Sequence, residues 1–469
     1  MEQSFTFLDM CHYKEIQDKH EEFLDPELND FGSIDGCGNT PLIWACINGS
    51  PENSTLALNL LTHPEKCVMS HVNNYGRTAL IYAIINGMDE VALKMLDNSK
   101  DCNIQHCDKL GNTALICACN NNMKDVALEL LKNPSMCNID KINSTGANAF
   151  AWACRMRILD VVLEIIKHSS KIMEIMLDIN MTSLLFASRE GLLLASLELL
   201  KRKDECNIGY IGYSEQNGRT ALIWSCINDM VDLAYELLEY PEECNIEQFD
   251  STGNCALSWA CRHKMESIAM QILKYPDKCN IDSINKKGST PLLLAIRQKM
   301  ETCSLELLKH GLKCNPSHKD SKGFSPLFHA VKNGMEKVAY EIMKYEKFID
   351  IYQKDSDGNS LLHYIDTNNM KDFMNKFIDG MLGRFIENLE DSTILKQKLE
   401  LIINIDEKIN NMANNNNCLT CDDEQKHNVL FIKCKHIVNI CTICCPKLEG
   451  KCPICRTETD IVSGCFLIT

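Results

Sequence analysis

The sequence predicts a mainly α-helical protein, a solenoid of stacked repeats followed by a small metal-binding domain. Three observations carry that prediction. Glycines recur at an interval of 35 residues, at Gly76, Gly111 and Gly146 and again at Gly218, Gly253, Gly288, Gly323 and Gly358. Between them, two short apolar blocks repeat, the first opening at a Thr suited to cap a helix and the second spaced to give one buried helical face. Near the end of the chain stand eight Cys and His residues in close pairs: Cys418, Cys421, Cys434, His436, Cys441, Cys444, Cys452 and Cys455.

Residues 1–34 read as an N-terminal helical cap or a degenerate repeat. Gly38 lies 38 residues before Gly76, so the first full unit carries a small insertion, and Met181 stands where a glycine is missing, 35 residues after Gly146. The unit is clearest in Gly111-Asn-Thr-Ala-Leu-Ile-Cys-Ala-Cys119, followed by Val126-Ala-Leu-Glu-Leu-Leu131 and Cys137-Asn-Ile139. The same order returns from Gly218 to Cys226, at Leu237 and Leu238, and from Cys244 to Ile246. The Thr oxygen can accept from a free backbone N–H at the helix start, and Ala or Pro follows it, as at Pro41, Pro291 and Pro326. Val91, Ala92, Met95 and Leu96 show the helical spacing of the second block. Each unit is therefore expected to be two antiparallel helices joined to the next unit by a loop.

These residues resemble the ankyrin repeat, with its Gly-x-Thr-Pro-Leu first helix and paired leucines in the second. The resemblance covers residues 35–379, about nine full units and a terminal half. The period is 35 and not 33, and Pro134, Pro241 and Pro276 mark the longer loop that accounts for it. Trp44, Trp152, Trp224 and Trp259 occupy one equivalent place, held elsewhere by Tyr82, Cys117 and Phe186. They read as packing between units, with an aromatic ladder for a ligand as the alternative. The cysteines that recur before Asn, at 102, 137, 206, 244, 279 and 314, lack paired ligands and read as core or turn residues. The segments that follow, Gln105–Lys109, Glu247–Ser251 and Asp282–Lys286, differ between units. They are expected as exposed tips on one edge of the solenoid, where partner contacts would concentrate.

Residues 380–417 read as a helical linker, with Asp391 or Ser392 as its cap. Leu395, Leu399, Ile402, Ile405, Ile409 and Met412 form a short seam that either pairs two chains or caps the open end of the stack. Asn414–Asn417 reads as a joint.

The last part, residues 418–469, holds the eight ligands as C-x2-C, C-x-H, C-x2-C and C-x2-C. Zn²⁺ takes four thiolate or imidazole ligands in structural sites, so four pairs imply two zinc ions. Ordinary buried thiols or a different zinc ribbon are the alternatives. The order resembles the RING finger, a small α+β domain, which would give Cys418, Cys421, Cys441 and Cys444 to one ion and Cys434, His436, Cys452 and Cys455 to the other. The four residues between His436 and Cys441 exceed that family's usual two or three. The resemblance implies a ubiquitin ligase without a covalent intermediate. Leu419, Leu448 and Pro453 would form the platform for a ubiquitin-conjugating enzyme, and Arg456 would bridge that enzyme and ubiquitin. In that family the aliphatic residue more often sits one place later, where Thr420 stands. The repeat wording Leu-Leu-x-x-Pro-x-x-Cys-Asn-Ile and its join to a terminal RING look like the ankyrin proteins of giant DNA viruses of amoebae. The tail through Phe466, Leu467 and Ile468 resembles tails that complete a neighbouring RING, which would make a homodimer; packing on its own RING is the competing expectation.

Composition sets the limits. A formal net charge of −16 argues against nucleic acid, whose phosphates require clustered Lys and Arg. No run of eighteen apolar residues suggests a membrane span, and Met1–Met10 lacks the basic and apolar regions of a secretory signal. The expected place is the cytoplasm, the host's if the chain is viral, with the nucleus open, where the 27 cysteines would stay reduced. Two functions follow as expectations: a RING-type ligase whose ankyrin array binds a protein target, or a protein-binding scaffold whose zinc module is only structural.

Overall fold

The computed structural model describes residues 30–97, 102–169, 181–203, 205–211, 218–345, 354–370 and 372–373, and strands at 427–431, 436–440 and 461–463. Residues 1–29 and the linker 380–417 lie outside the described residues. The chain separates into two units, Met1–Asn368 and Asn369–Thr469.

The first unit is a stack of helical hairpins. In chain order these are α1 (Pro41–Asn48) with α2 (Pro51–Leu60), α3 (Ala79–Ile85) with α4 (Asp89–Leu96), α5 (Ala114–Asn120) with α6 (Lys124–Leu131), and α7 (Ala149–Arg155) with α8 (Leu159–His168). Then follow α9 (Ser183–Arg189) with α10 (Leu193–Leu200), α11 (Ala221–Ile227) with α12 (Val231–Leu238), and α13 (Ala256–Arg262) with α14 (Glu266–Ile272). The last are α15 (Pro291–Arg297) with α16 (Glu301–Leu308), α17 (Pro326–Lys332) with α18 (Glu336–Met343), and α19 (Leu361–Thr367).

Most first helices start at a polar cap, α13 with Cys255 being an exception, and the second helix α2 is also capped, by Ser50. Thr40, Thr78, Thr113, Thr182, Thr220 and Thr290 each accept from the N–H three residues on, and Asn148 and Ser325 do the same. Other second helices start differently. Met88, Met123, Met230, Met265, Met300 and Met335 hold the cap position with no side-chain bond and are buried instead. An acid in the first turn, such as Asp89, Asp125 or Glu301, answers the positive end of the helix dipole there. In the first unit the insertion falls mainly in α2, which has 10 residues against 8 in α4.

The core runs through the stack because each helix is covered by its counterparts in adjacent units. Leu42, Leu80, Leu115, Leu222, Leu257, Leu292 and Leu327 are buried at one position, and Ala92, Ala127, Ala234, Ala269 and Ala339 allow close approach at another. Polar bonds hold the units in order. The Asn of the Cys-Asn pair adopts a left-handed conformation at Asn103, Asn138, Asn245, Asn280 and Asn315, though not at Asn207. Asn138 and Asn280 donate to the carbonyls of Gln105 and Glu247 in the preceding unit, each at 2.7 Å, and Asn315 donates to that of Asp282 at 3.0 Å. At the ends of the first helices, Asn86, Asn228, Asn333 and Asn368 donate to the last carbonyls of the previous first helix, satisfying groups that a helix leaves open.

The second unit has a three-stranded antiparallel sheet, ordered β2-β1-β3, from β1 (His427–Phe431), β2 (His436–Ile440) and β3 (Ile461–Ser463). His427 pairs with Ile440 and Phe431 with His436, while Phe431 also pairs with Ile461 on the other side of β1.

Candidate functional site

The loop between units closes into a tight tip, and one Asp or Asn per unit builds it. Asp108 Oδ1 accepts from the N–H groups of Leu110 and Asn112 at 3.0 and 2.9 Å. Asp35, Asn73, Asn143, Asp250, Asn285, Asp320 and Asp355 repeat that pair of bonds, two and four residues on. The glycine three residues later takes a positive φ, as at Gly288 (φ 67°), where an added Cβ would stand 3.1 Å from the backbone N of Ser321 in the next tip. Glycine is thus required both by backbone conformation and by the close stacking of successive tips.

This geometry corrects the expectation that the whole variable segment is exposed. Asp108, Asp250 and Asn285 are buried, as are Ile104, Ile246 and Ile281, because their side chains lock the loop and cover the core. Lys109, Leu110, Phe249, Ile284, Lys286 and Lys287 alternate with them and are exposed.

The second carboxylate oxygen reaches the first helix of its own unit, nine residues on. Trp44 and Trp259 donate their indole N–H to Asp35 and Asp250 at 2.8 and 3.0 Å, and the Tyr364 hydroxyl donates to Asp355 at 2.5 Å. His329 Nε2 lies 2.9 Å from Asp320. Trp224 Nε1 has no partner among the described residues, and Glu215, nine residues before it, lies outside them. The aromatic position is therefore an anchor for the tip. Cations pack over it: the Arg219 guanidinium lies 4.6 and 5.4 Å from the Trp224 and Trp259 rings, and Arg262 is 5.1 Å from Trp259. Burial raises the Asp250 carboxyl, but the bonds from Thr252, Asn254 and Trp259 outweigh it and hold the group below its usual value. Asp320 is held down in the same way by His329, Phe324 and Lys322 against its burial. Burial also lowers His329, more than its Asp320 bond raises it, so the ring is neutral near pH 7.

A pairing rule between neighbouring tips was not read from the sequence. Where a tip is built on Asn, the residue after the previous glycine is Asn: Asn73 donates to Asn39, Asn143 to Asn112 and Asn285 to Asn254, at 2.7, 2.8 and 2.9 Å. Where the tip is built on Asp, that residue is Arg in two units: Arg77 lies 3.6 Å from Asp108 and Arg219 3.2 Å from Asp250. Asp320 and Asp355 take Arg297 and Lys332 from the previous first helix. Internal comparison of residues 31 to 35 apart carries this signal.

The tips differ in character along the stack. At one end Tyr75, Arg77, Tyr82, Asp108, Lys109 and Leu110 line a pocket of about 320 Å³. At the other end the tips carry Lys286, Lys287, Lys319, Lys322 and Lys354, all exposed.

The buried thiols of the stack are unsuited to nucleophilic work. Burial pushes Cys67, Cys117, Cys226, Cys244 and Cys279 up to about 12, and Cys137 and Cys314 up to about 11.

Of the eight ligand residues, His436 opens β2; Cys418, Cys421, Cys434, Cys441, Cys444, Cys452 and Cys455 lie outside the described residues, as do Leu419, Leu448, Pro453 and Arg456. Along the sequence, Cys421 precedes β1, Cys434 lies between β1 and β2, and Cys441 directly follows β2.

A family model described as ankyrin repeats (3 copies) matches residues 13–106, 90–176, 184–283 and 265–355. The matches cover more than half of the chain. The chain belongs to the ankyrin-repeat family. Among solved structures, the human ASB11 ankyrin repeat domain is similar at 19% identity and a TM-score of 0.37, over 50% of this chain and 97% of that one. No curated protein matches the chain. The ankyrin array thus has its family, whose repeats generally bind protein partners. No described helix is long and apolar enough to cross a membrane.

Proposed function

We propose that this ankyrin protein is a RING-type ubiquitin ligase: the array captures a protein target, and residues 418–469 hold two zinc ions and recruit a charged conjugating enzyme. The observation that carries this reading is the ligand order: four close Cys/His pairs, C-x2-C, C-x-H, C-x2-C and C-x2-C, which suffice for two four-ligand zinc sites and which the RING resemblance assigns as alternating pairs.

In this reading zinc is structural, supplying folding free energy to a small domain. The chain's own groups do the rest. Leu419, Leu448 and Pro453 give an apolar platform, and Arg456 offers a planar set of donors that can bridge two proteins and hold the ubiquitin thioester in a reactive geometry.

The test is self-modification by the purified chain with ubiquitin, activating enzyme and a panel of conjugating enzymes. Arg456→Ala should lower transfer at least tenfold, about 1.4 kcal/mol in barrier, with conjugating-enzyme affinity nearly unchanged. Leu448→Ala should instead weaken recruitment. Absence of transfer across a broad panel would move the protein to the scaffold reading, which rests on the ankyrin array alone.

A further inference from the structure

Many lysines on the outer surface of the array are paired with carboxylates, although Lys274 and Lys299 are exposed without an ion-pair partner among the described residues. Lys132, Lys201, Lys309 and Lys344 bond Glu129, Glu198, Glu306 and Glu341 one helical turn away, and Lys278 and Lys313 bond Glu242 and Asp277 across units. Lys286, Lys287, Lys319, Lys322 and Lys354 stand apart. All are exposed on three successive tips, and none has an ion-pair partner among the described residues. The tip carboxylates there cannot neutralise them, because Asp320 is committed to Arg297 and His329, and Asp355 to Lys332 and Tyr364. Arg262, stacked on Trp259 and likewise without an ion-pair partner among the described residues, adds a sixth cation on the first-helix wall. The exposed acids on tips of this region are Glu247, Asp282 and Asp357. Six free cations thus face three acids within a chain of net charge −16.

From this row of unpaired lysines we infer that the array takes its partner through a carboxylate-rich, extended segment laid across the tips at Lys286, Lys322 and Lys354. The inference deepens the proposed target-binding role and rests on it. Spacing supplies the register. Successive units are one helix-packing distance apart, about 8–10 Å. A polyproline-type chain advances about 9 Å in three residues and returns to the same side. Acidic residues at every third position therefore meet one tip each. Lysines spread over three successive tips, two on each of the first two and one on the third, are point charges suited to separate carboxylates; a single phosphate calls for convergent donors or a guanidinium fork. A long nucleic acid would also meet the acidic remainder of the molecule.

The experiment uses the full chain and a fluorescent peptide of repeated Glu-Pro-Ser triplets, read by anisotropy. Controls replace Glu by Gln, cluster the same Glu residues at one end, replace them by phosphoserine, or substitute oligothymidylate. The triplet peptide should bind with marked salt dependence. Combined Lys286→Gln, Lys287→Gln and Lys322→Gln should weaken it roughly tenfold or more. Lys132→Gln, Lys201→Gln and Lys309→Gln together should leave affinity unchanged. Equal binding of the Gln peptide, indifference to the tip substitutions, or stronger binding of the phosphoserine peptide or the oligonucleotide would each overturn the inference, and equal binding of the clustered peptide would overturn the three-residue register. Binding that emerges only after deletion of residues 380–417 would make this chain's own acidic linker the occupant. Ubiquitin transfer plays no part in the readout, so a failed ligase leaves the result standing, and a working ligase that ignores the peptide sinks this inference alone.

Discussion

At the scale of single residues, the array depends on matched pairs that a reading of one unit at a time cannot show. Asn285 is buried, holds the Lys287 and Ser289 N–H groups, and donates to Asn254 at 2.9 Å. Asp at 285 could keep the first two bonds but would bury a carboxylate against the Asn254 carbonyl oxygen. Arg77 and Arg219, at positions equivalent to 254, show how another unit resolves that conflict. Asn285→Asp should therefore cost about 2 kcal/mol, the penalty for leaving a buried polar group poorly matched. Adding Asn254→Arg should return at least half, giving a coupling near 1 kcal/mol in a double-mutant cycle by urea unfolding. Strict additivity would show that the pairing is incidental. The family's consensus residues were legible in the sequence because Gly, Thr and Leu recur in place. The Asn and Asp partners were not, since their meaning lies in a residue of the neighbouring unit.

At the scale of elements, the two helix types of each unit are built for different tasks. Thr290 caps α15 by accepting from Leu293 N–H at 3.2 Å, whereas Met300 at the start of α16 contributes burial and leaves the dipole to Glu301. Thr290→Ala should cost about 1 kcal/mol, a typical capping loss, and Met300→Thr should be no gain because it removes a buried apolar side chain. Thermal unfolding of both variants checks the pair; a stabilised Met300→Thr would contradict the assignment. First-helix starts were legible because Thr, Pro and an apolar run coincide. Tip burial was not, because polar Asp and Asn side chains suggest exposure until their bonds to the turn are known. In the second unit the ligand spacing was fully legible, while the β1–β2 register, which pairs residues 427–431 with 436–440, was not. Eight ligands in that order should bind two zinc ions per chain, measurable by elemental analysis, and one ion or none would refute the alternating assignment.

At the scale of the molecule, the two contact units should respond separately to chemical stress, because the array holds its helices by stacking of neighbouring repeats, whereas the proposed zinc sites belong to the second unit. Chelation should leave the helical circular dichroism of the array intact. Acid should not. Asp35, Asp250, Asp320 and Asp355 are all held below the usual carboxylate value, Asp355 chiefly by Lys332 of the previous unit and the others by bonds that close a tip and anchor it to its first helix. Their contribution is complete above the unfolded value of about 3.9 and is lost as pH falls through the lower folded values. His329 acts in the same direction from a higher starting point: its folded value is lowered, so the unfolded chain gains a proton first, and stability declines as pH falls below about 6.5. The zinc-stripped protein should therefore show a shallow loss of stability from about pH 6.5 and a steeper one below about pH 4. His329→Gln, which retains a donor toward Asp320, should flatten the upper part of that curve while sparing the lower. A curve with no slope between those limits in the unsubstituted protein would mean that Asp320 and His329 do not form the neutral-ring pair on which the last full tip is built.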